Sequence, residues 1–148
     1  MSKKLAIFII DDDPIYTGVL ERFLVENVDC TILCFESVRY CLHARPSQPD
    51  IVFVDYNMSD MNGLRATRML KKRWKAAVYT LISSSENLSE KRISHFGVDM
   101  AISKSEGIDQ IVTLSLRFYR FKRLMRRSWM LLMMALLAGL VTWLVLKA

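Results

Sequence analysis

The sequence predicts an α/β fold, a doubly wound sheet of five parallel strands with helices on both faces. Three observations predict it. Short apolar runs alternate with amphipathic segments over most of the 148 residues. The run at residues 51–54 is apolar throughout and lies between Pro49 and Gly63, which is typical of a strand buried on both faces. Two runs end on acids, Asp11 and Asp55, at the sheet edge where such proteins bind ligands.

The first half of the chain predicts three strands and two helices. An apolar run at residues 5–10 precedes three aspartates and predicts the first strand. Pro14 suits a first helical turn and Asp13 suits its cap, and apolar residues at helical spacing extend this helix to about Asn27. The next elements are two strands and the short helix between them, at residues 31–35, 51–54 and 37–44.

The second half continues the alternation. Asn62 and Gly63 open a helix whose C-terminal end carries a basic stretch at residues 71–75, where cations suit the helix dipole. The remaining predicted elements are a strand, a helix, a strand and a helix, at residues 77–82, about 89–96, 100–103 and from 108 onward. Nothing in the sequence interrupts the last helix before an apolar run near the C-terminus.

That apolar run predicts a single transmembrane helix. From Trp129 to Leu146 there are 18 residues without a charge. A helix of that length spans about 27 Å, close to the hydrocarbon core of a bilayer. Trp129 and Trp143 lie near its ends, as in an interfacial aromatic belt. We therefore predict a transmembrane helix over residues 128–147.

The net charge of +6 is concentrated beside this run. Seven of the 21 basic residues follow residue 116, whereas all 15 acidic residues precede it, so residues 1–116 carry a net charge of −1. Six of the seven lie at residues 117–127. A basic collar of this kind predicts a cytoplasmic domain by the positive-inside rule and contact with anionic lipid. The charge therefore does not indicate a nucleic-acid partner.

The predicted membrane helix also bears on domain organisation and oligomeric state. The chain divides into a domain at residues 1–116, a basic extension of the last helix at residues 117–127 and the membrane helix at residues 128–147. Within that helix, Ala135 and Gly139 are four residues apart, a spacing that lets two helices approach closely. The sequence thus leaves a homodimer open.

Polar residues end four of the predicted strands. They are the aspartates at residues 11–13, Asp55, the serines at residues 83–85 and Lys104. Because the carboxyl ends of parallel strands meet at one edge, we expect these groups to converge on one crevice. Neighbouring carboxylates raise one another's pKa because their negative charges repel, and a bound divalent cation offsets this repulsion. Oxygen ligands of this kind suit Mg²⁺, so the sequence predicts a magnesium site.

The same groups are suited to phosphoryl transfer. A carboxylate beside Mg²⁺ can attack phosphorus and form an aspartyl phosphate. The hydroxyl of Ser83 or Ser84 would hydrogen-bond the phosphoryl oxygens, and the Lys104 ammonium would neutralise their remaining charge. The sequence therefore contains a complete set of metal ligands, nucleophile, hydroxyl and cation.

Residues 5 to about 116 resemble a response-regulator receiver domain of two-component signalling. The segment at residues 7–14 is similar to the family's first strand and acidic pair, and those at residues 50–58 and 60–63 are similar to its phosphorylation loop. The resemblance implies a flavodoxin-like sheet in the order 2-1-3-4-5. It also implies a phosphoacceptor that is not an enzyme and is served by a histidine kinase or a phosphotransfer protein. Together with the predicted membrane helix, it predicts a single-pass protein of the bacterial inner membrane in which that helix takes the place of a DNA-binding output domain.

The resemblance further implies a role for each site residue. Asp55 is the implied phosphoacceptor, Ser83 the switch hydroxyl and Lys104 the phosphate-binding lysine. The implied Mg²⁺ ligands are Asp12, Asp55, the Asn57 carbonyl and, through a water molecule, Asp11. Together these residues make Mg²⁺ the expected cofactor.

The chain departs from the family's pattern at several positions. Ser59 stands where proline is usual, and Ala101 stands where an aromatic ring often moves with the switch hydroxyl. The stretch from Ser83 to Lys104 is about one residue shorter than is common, which leaves Ser83 and Ser84 both open as that hydroxyl. Phosphorylation chemistry is expected to survive these changes, whereas a rearrangement through the ring is not implied.

Two other functions compete with this interpretation. The aspartates at residues 11–13 also fit the Asp-x-Asp of haloacid-dehalogenase-type phosphohydrolases, which need a further acidic pair after the lysine. Only Glu106 and Asp109 are available for that pair. The second alternative is a phosphorylation-independent membrane scaffold with a receiver fold, in which the acids no longer react.

Overall fold

The structure is a computed structural model that describes residues 4–84 and 95–147, with side chains described as far as residue 137. Most of the helix predicted at residues 89–96 lies outside the described residues. The chain divides into two compact units, Met1–Ser115 and Leu116–Ala148.

The first unit contains one sheet of five parallel strands. They are β1 (Leu5–Ile10), β2 (Cys30–Phe35), β3 (Ile51–Asp55), β4 (Val78–Ser83) and β5 (Met100–Ser103). Their order is β2-β1-β3-β4-β5, which confirms the predicted topology. Every residue of β3 and β4 is buried, because both strands are interior to the sheet and covered on both faces. The edge strand β2 alternates between half-buried and exposed positions over most of its length.

The helices begin where the sequence provides caps. The described helices are α1 (Pro14–Asn27), α2 (Val38–Ala44), α3 (Gly63–Arg73) and α4 (Ile108–Lys147), with a short 3-10 helix at Lys104–Glu106 before α4. The Asp13 carboxylate accepts hydrogen bonds from the first turn of α1, which confirms it as the predicted cap. Ser37 and Asn62 cap α2 and α3 in the same way. These helix ends lie within about two residues of the predicted ones.

An aromatic cluster joins the sheet to α3. The ring of Phe8 packs edge-on against those of Phe35 and Trp74, with centroids 5.4 Å apart in both pairs. The hydroxyl of Tyr79, a fully buried residue of β4, donates to the Trp74 carbonyl at 3.1 Å. This cluster fixes the central strands whose carboxyl ends carry the polar residues.

Gly63 lies where the loop after β3 folds back on that strand. Its N–H donates to the Tyr56 carbonyl at 2.9 Å. A Cβ at this position would collide with the Asp55 carbonyl and would lie 2.8 Å from both the Tyr56 Cα and the Leu81 Cδ1. Any side chain here must therefore displace the backbone that carries Asp55.

We expect Gly63→Ala to lower the free energy of unfolding by about 1–3 kcal/mol, because overpacking forces the backbone to shift. Urea denaturation measures this change. The matched control is Gly18→Ala in α1, where an added Cβ meets nothing within 4 Å. That variant should be as stable as the unchanged protein or more stable, since alanine favours helix. Equal stability of Gly63→Ala and Gly18→Ala would contradict the steric argument.

The second unit consists of α4 from Leu116 onward. Across the described ranges, no helix combines the length and the apolar character that crossing a bilayer requires. The predicted transmembrane helix at residues 128–147 and the single-pass inner-membrane localisation are therefore wrong for the part of the chain that the structure describes. A span needs about 20 apolar residues, and the side chains of the uncharged run are described only as far as Leu137. Residues 138–147, including Gly139 of the predicted dimer contact, lie outside the described side chains.

Candidate functional site

The carboxyl ends of β1, β3 and β5 bring three carboxylates and one ammonium together. Asp11 and Asp12 follow β1, Asp55 ends β3, and Lys104 follows β5. One carboxylate oxygen from each of the three aspartates lies within 4.8 Å of the others. Asp11 and Asp55 are buried, whereas Asp12 is exposed. Four of the predicted site residues thus form one pocket at the edge of the sheet.

A backbone N–H orients each carboxylate of this pocket. The donors are the N–H of Asp13 to Asp11 Oδ1 at 2.9 Å, of Ser59 to Asp12 Oδ2 at 2.7 Å and of Asn57 to Asp55 Oδ2 at 2.7 Å. Two of these donors lie two residues beyond their acceptor, in the turn that follows the strand. The third comes from a different loop, so its bond to Asp12 links two segments of the chain.

The Lys104 ammonium bridges the two buried carboxylates. Its Nζ lies 2.8 Å from Asp55 Oδ1 and 3.0 Å from Asp11 Oδ2. The same Nζ lies 4.1 Å from the centroid of the Tyr16 ring, an arrangement that attracts a cation to the π face. Two carboxylates and the face of an aromatic ring therefore contact the lysine ammonium and fix its position.

The surroundings shift the pKa values of these groups in different directions. Burial raises the pKa of Asp11, although its hydrogen bonds partly offset this. The N–H and hydroxyl of Ser59 lower the pKa of Asp12. Burial alone would lower the pKa of Lys104, but its hydrogen bonds to Asp55 and Asp11 raise it on balance. Lys104 thus remains charged at neutral pH, whereas burial disfavours the charged form of Asp11.

The structure places the two candidate hydroxyls differently. Ser83 is the last residue of β4 and is fully buried. It is in register with Ser103, the residue immediately before Lys104. Ser84 follows the strand and is exposed. The placement beside the β5 end therefore favours Ser83 as the hydroxyl of the pocket.

The donor set fits a divalent cation. Carboxylate and carbonyl oxygens are the ligands that Mg²⁺ prefers, and it is commonly bound through one or two carboxylates with water and phosphate oxygens completing the shell. Asp11, Asp12 and Asp55 offer oxygens at close range, and Asn57 belongs to the same loop as Asp55. Among the described residues the cluster consists of these three aspartates, so it does not include Glu106 and Asp109, the acidic pair that a haloacid-dehalogenase-type site would need.

Sequence reasoning missed Tyr16 and the partner of Asp12. Tyr16 lies in the first turn of α1, directly after the aspartates, and that position was the available signal. Its hydroxyl is buried with no hydrogen-bond partner among the described residues, and burial raises its pKa. Ser59 was noted only as a departure from proline. No sequence pattern predicts its bond to Asp12.

The sheet order, the acidic pocket and the lysine at the carboxyl edge define a class of protein, the flavodoxin-like receiver. The chain belongs to the response regulator receiver domain family, whose model matches residues 7–115. This confirms the family that the sequence motifs indicated. Receiver domains generally act as phosphoacceptors and not as conventional enzymes.

Curated relatives match this chain over part of their length. The DNA-binding transcriptional activator EvgA of Escherichia coli K12 is 27% identical over 107 residues, which cover 70% of this chain and 52% of EvgA. Protein-glutamate methylesterase/protein-glutamine glutaminase 2 of Methanospirillum hungatei is 27% identical over 97 residues, covering 64% of this chain and 27% of that protein. The chain therefore spans about half of EvgA and about a quarter of the methylesterase.

Solved structures share the fold. The receiver domain of a LuxO-like repressor from Vibrio parahaemolyticus has a TM-score of 0.73 at 12% identity and covers 85% of this chain and 98% of its own. A response regulator from Burkholderia pseudomallei, whose crystal structure contains a phosphorylated aspartic acid, a calcium ion and citrate, has a TM-score of 0.68 at 16% identity. It covers 76% of this chain and 66% of its own. These likenesses concern the fold alone.

Proposed function

We propose that this receiver domain accepts a phosphoryl group on Asp55, with Mg²⁺, from a histidine kinase or a phosphotransfer protein. The observation that carries the proposal is the joint contact of Asp55 with a cation and with two further acids. Its Oδ1 lies 2.8 Å from Lys104 Nζ, and its carboxylate belongs to the cluster with Asp11 and Asp12. The phosphorylated aspartic acid of the structurally similar Burkholderia protein supports the same chemistry.

The residues proposed to hold Mg²⁺ are Asp11, Asp12, Asp55 and Asn57. Bound there, the ion supplies positive charge to the carboxylates and to the phosphoryl oxygens, which lowers the cost of bringing anions together. Asp55 and Asp12 are the proposed direct ligands together with the Asn57 carbonyl, and Asp11 acts through water. The hydrogen bonds to Asp12 and Asp55 described above orient both carboxylates before any ligand arrives.

The protein's own side chains carry out the transfer. A carboxylate oxygen of Asp55 forms a bond to phosphorus while the bond from phosphorus to the donor atom breaks, so the donor leaves with its electron pair. Lys104 exchanges contact with Asp55 for contact with the phosphoryl oxygens, whose charge it balances. Ser83 donates a hydrogen bond to the same oxygens. The chain then catalyses at most its own phosphorylation and dephosphorylation.

The domain limits that accompany this function are also proposals. Residues 1–116 form the receiver, and residues 117–127 form a basic extension of α4. The described core of the receiver contains the pocket and all five strands. The phosphoacceptor function therefore needs only the first of these parts.

Acetyl phosphate tests the proposal without knowledge of the natural donor. We expect the full chain incubated with acetyl phosphate and Mg²⁺ to gain the mass of one phosphoryl group, and to lose it on treatment with hydroxylamine, which cleaves acyl phosphates. Excess EDTA should suppress the gain. Intact-protein mass spectrometry measures both. Failure to gain the group with Mg²⁺ present would favour the phosphorylation-independent scaffold.

A further inference from the structure

Ser59 connects the loop after β3 to the loop after β1. Its N–H donates to Asp12 Oδ2 at 2.7 Å across 47 positions of sequence. The hydroxyl of the same residue also lowers the pKa of Asp12. One residue of the loop after β3 therefore orients a carboxylate of the pocket through its N–H.

Asp12 depends on such a partner more than the other two carboxylates do. Asp11 and Asp55 are buried and are each in contact with Lys104, so packing and an ion pair limit their orientations. Asp12 is exposed, and an exposed aspartate side chain otherwise samples several rotamers. The hydrogen bond from the Ser59 N–H limits that freedom and orients the carboxylate at the edge of the cluster.

The residue type at position 59 decides whether this contact can form. Proline has no N–H and no hydroxyl, so it can donate neither bond. Serine provides both, and here its N–H donates to an acid whose oxygen lies within 4.8 Å of oxygens of the two others. Partners that orient a metal ligand in this way affect metal affinity without touching the metal.

We propose that Ser59 is a positioning residue that presents Asp12 to a divalent cation. The inference rests on the proposed Mg²⁺ site and adds a residue outside its ligand set. Ser59 pre-organises the ligand, so the ion does not have to order Asp12 when it binds. The bond also makes the two loops act together, since any movement of the phosphorylation loop moves a metal ligand on the other loop.

Magnesium titrations of the full chain, followed by ¹H–¹⁵N NMR shifts, test this inference. We expect Ser59→Pro to raise the Kd for Mg²⁺ roughly tenfold, as loss of an outer ligand partner does. Ser59→Ala keeps the N–H and should raise the Kd only about two- to threefold. The matched control is Ser47→Pro, the same change in an exposed loop after α2, which should leave the Kd unchanged.

A double-mutant cycle separates positioning from general distortion. In an Asp12→Asn background, Ser59→Pro should cause little further loss, because the group it positions has lost its charge. An equal loss in both backgrounds would overturn the inference, and so would an unchanged Kd in a folded Ser59→Pro protein. Should that variant fail to fold, an unchanged Kd for Ser59→Ala would overturn it. Absence of Mg²⁺ binding by the unchanged chain would overturn both the inference and the proposed metal site.

Discussion

Replacing Asp55 by asparagine should abolish phosphoryl incorporation from acetyl phosphate. The change keeps the size and shape of the side chain and removes the nucleophilic oxygen charge, so the bond to phosphorus cannot form. Asparagine should fit the buried end of β3, where the N–H of Asn57 can still donate to the side-chain oxygen. We expect the Mg²⁺-dependent mass increase to fall below detection. Intact-protein mass spectrometry after a fixed incubation measures it.

The control for this experiment is Asp29→Asn. Asp29 is an exposed aspartate whose carboxylate pairs with Lys4 at 3.3 Å. Loss of that pair has little effect on stability, because exposed ion pairs contribute on the order of 1 kcal/mol or less. Incorporation should therefore match that of the unchanged protein. Phosphoryl incorporation into Asp55→Asn equal to that of Asp29→Asn would show that another residue accepts the group.

The strands and their helices were predictable because each follows from local composition. The strand β1 and the first four residues of β3 are uninterrupted apolar runs, and the observed strand at Ile51–Asp55 differs from the predicted one only by including its terminal acid. Met100–Ser103 matches its predicted limits. The sheet order required the resemblance, since period and composition do not say which strands are neighbours. Caps such as Asp13 were predictable because their chemistry is local.

The site was predictable only in part, for a physical reason. Strand-end placement brought Asp11, Asp55 and Lys104 together, because parallel strands end at one edge. The contacts of Tyr16 and Ser59 depend on how the first turn of α1 and the loop after β3 fold, and nothing in their own neighbourhood encodes them. Long-range contacts made by loops are thus the features of the site that could not be predicted from the sequence.

The C-terminal helix shows a limit of hydropathy counting. The prediction rested on the 18 uncharged residues from Trp129 to Leu146, on the length of the helix they would form and on the tryptophans near its two ends. The continuous helix was predicted correctly, since α4 runs without a break from Ile108 to Lys147. The membrane assignment was not, because the described part of this helix does not meet the requirement for a span.

Lys104→Met should slow phosphoryl incorporation roughly a hundredfold, the usual effect of removing one charge-stabilising group from a reacting centre. Methionine has a similar length and no charge, so the loss is electrostatic and not a cavity. In the unchanged protein the ammonium contacts both Asp55 and Asp11, at 2.8 and 3.0 Å. Without it, one cation fewer stabilises the negative charge that develops on the phosphoryl oxygens. The initial rate of the mass increase, at saturating Mg²⁺, measures the effect.

The stability of the Lys104→Met variant in the absence of metal is a second measurable quantity. We expect Lys104→Met to lower the free energy of unfolding at neutral pH by about 2 kcal/mol, less than for a fully buried pair because Lys104 is partly exposed. Losing the ammonium removes an influence that lowers the pKa of Asp11, so that pKa rises further above 3.8. The native state then binds a proton more readily than the unfolded chain. The difference in free energy of unfolding between Lys104→Met and the unchanged protein should therefore decrease as the pH falls from neutrality towards the pKa of Asp11.

Lys71→Met is the matched control for both measurements. Lys71 also pairs with an aspartate at partial exposure, with its Nζ 3.7 Å from Asp99 Oδ2, and it contacts the Gly97 carbonyl. The substitution removes the same charge from α3 without touching the three-carboxylate cluster. It should lower the free energy of unfolding at neutral pH and leave the incorporation rate unchanged. Equal slowing by Lys71→Met and Lys104→Met would mean that net charge, and not the ammonium in the pocket, controls the reaction.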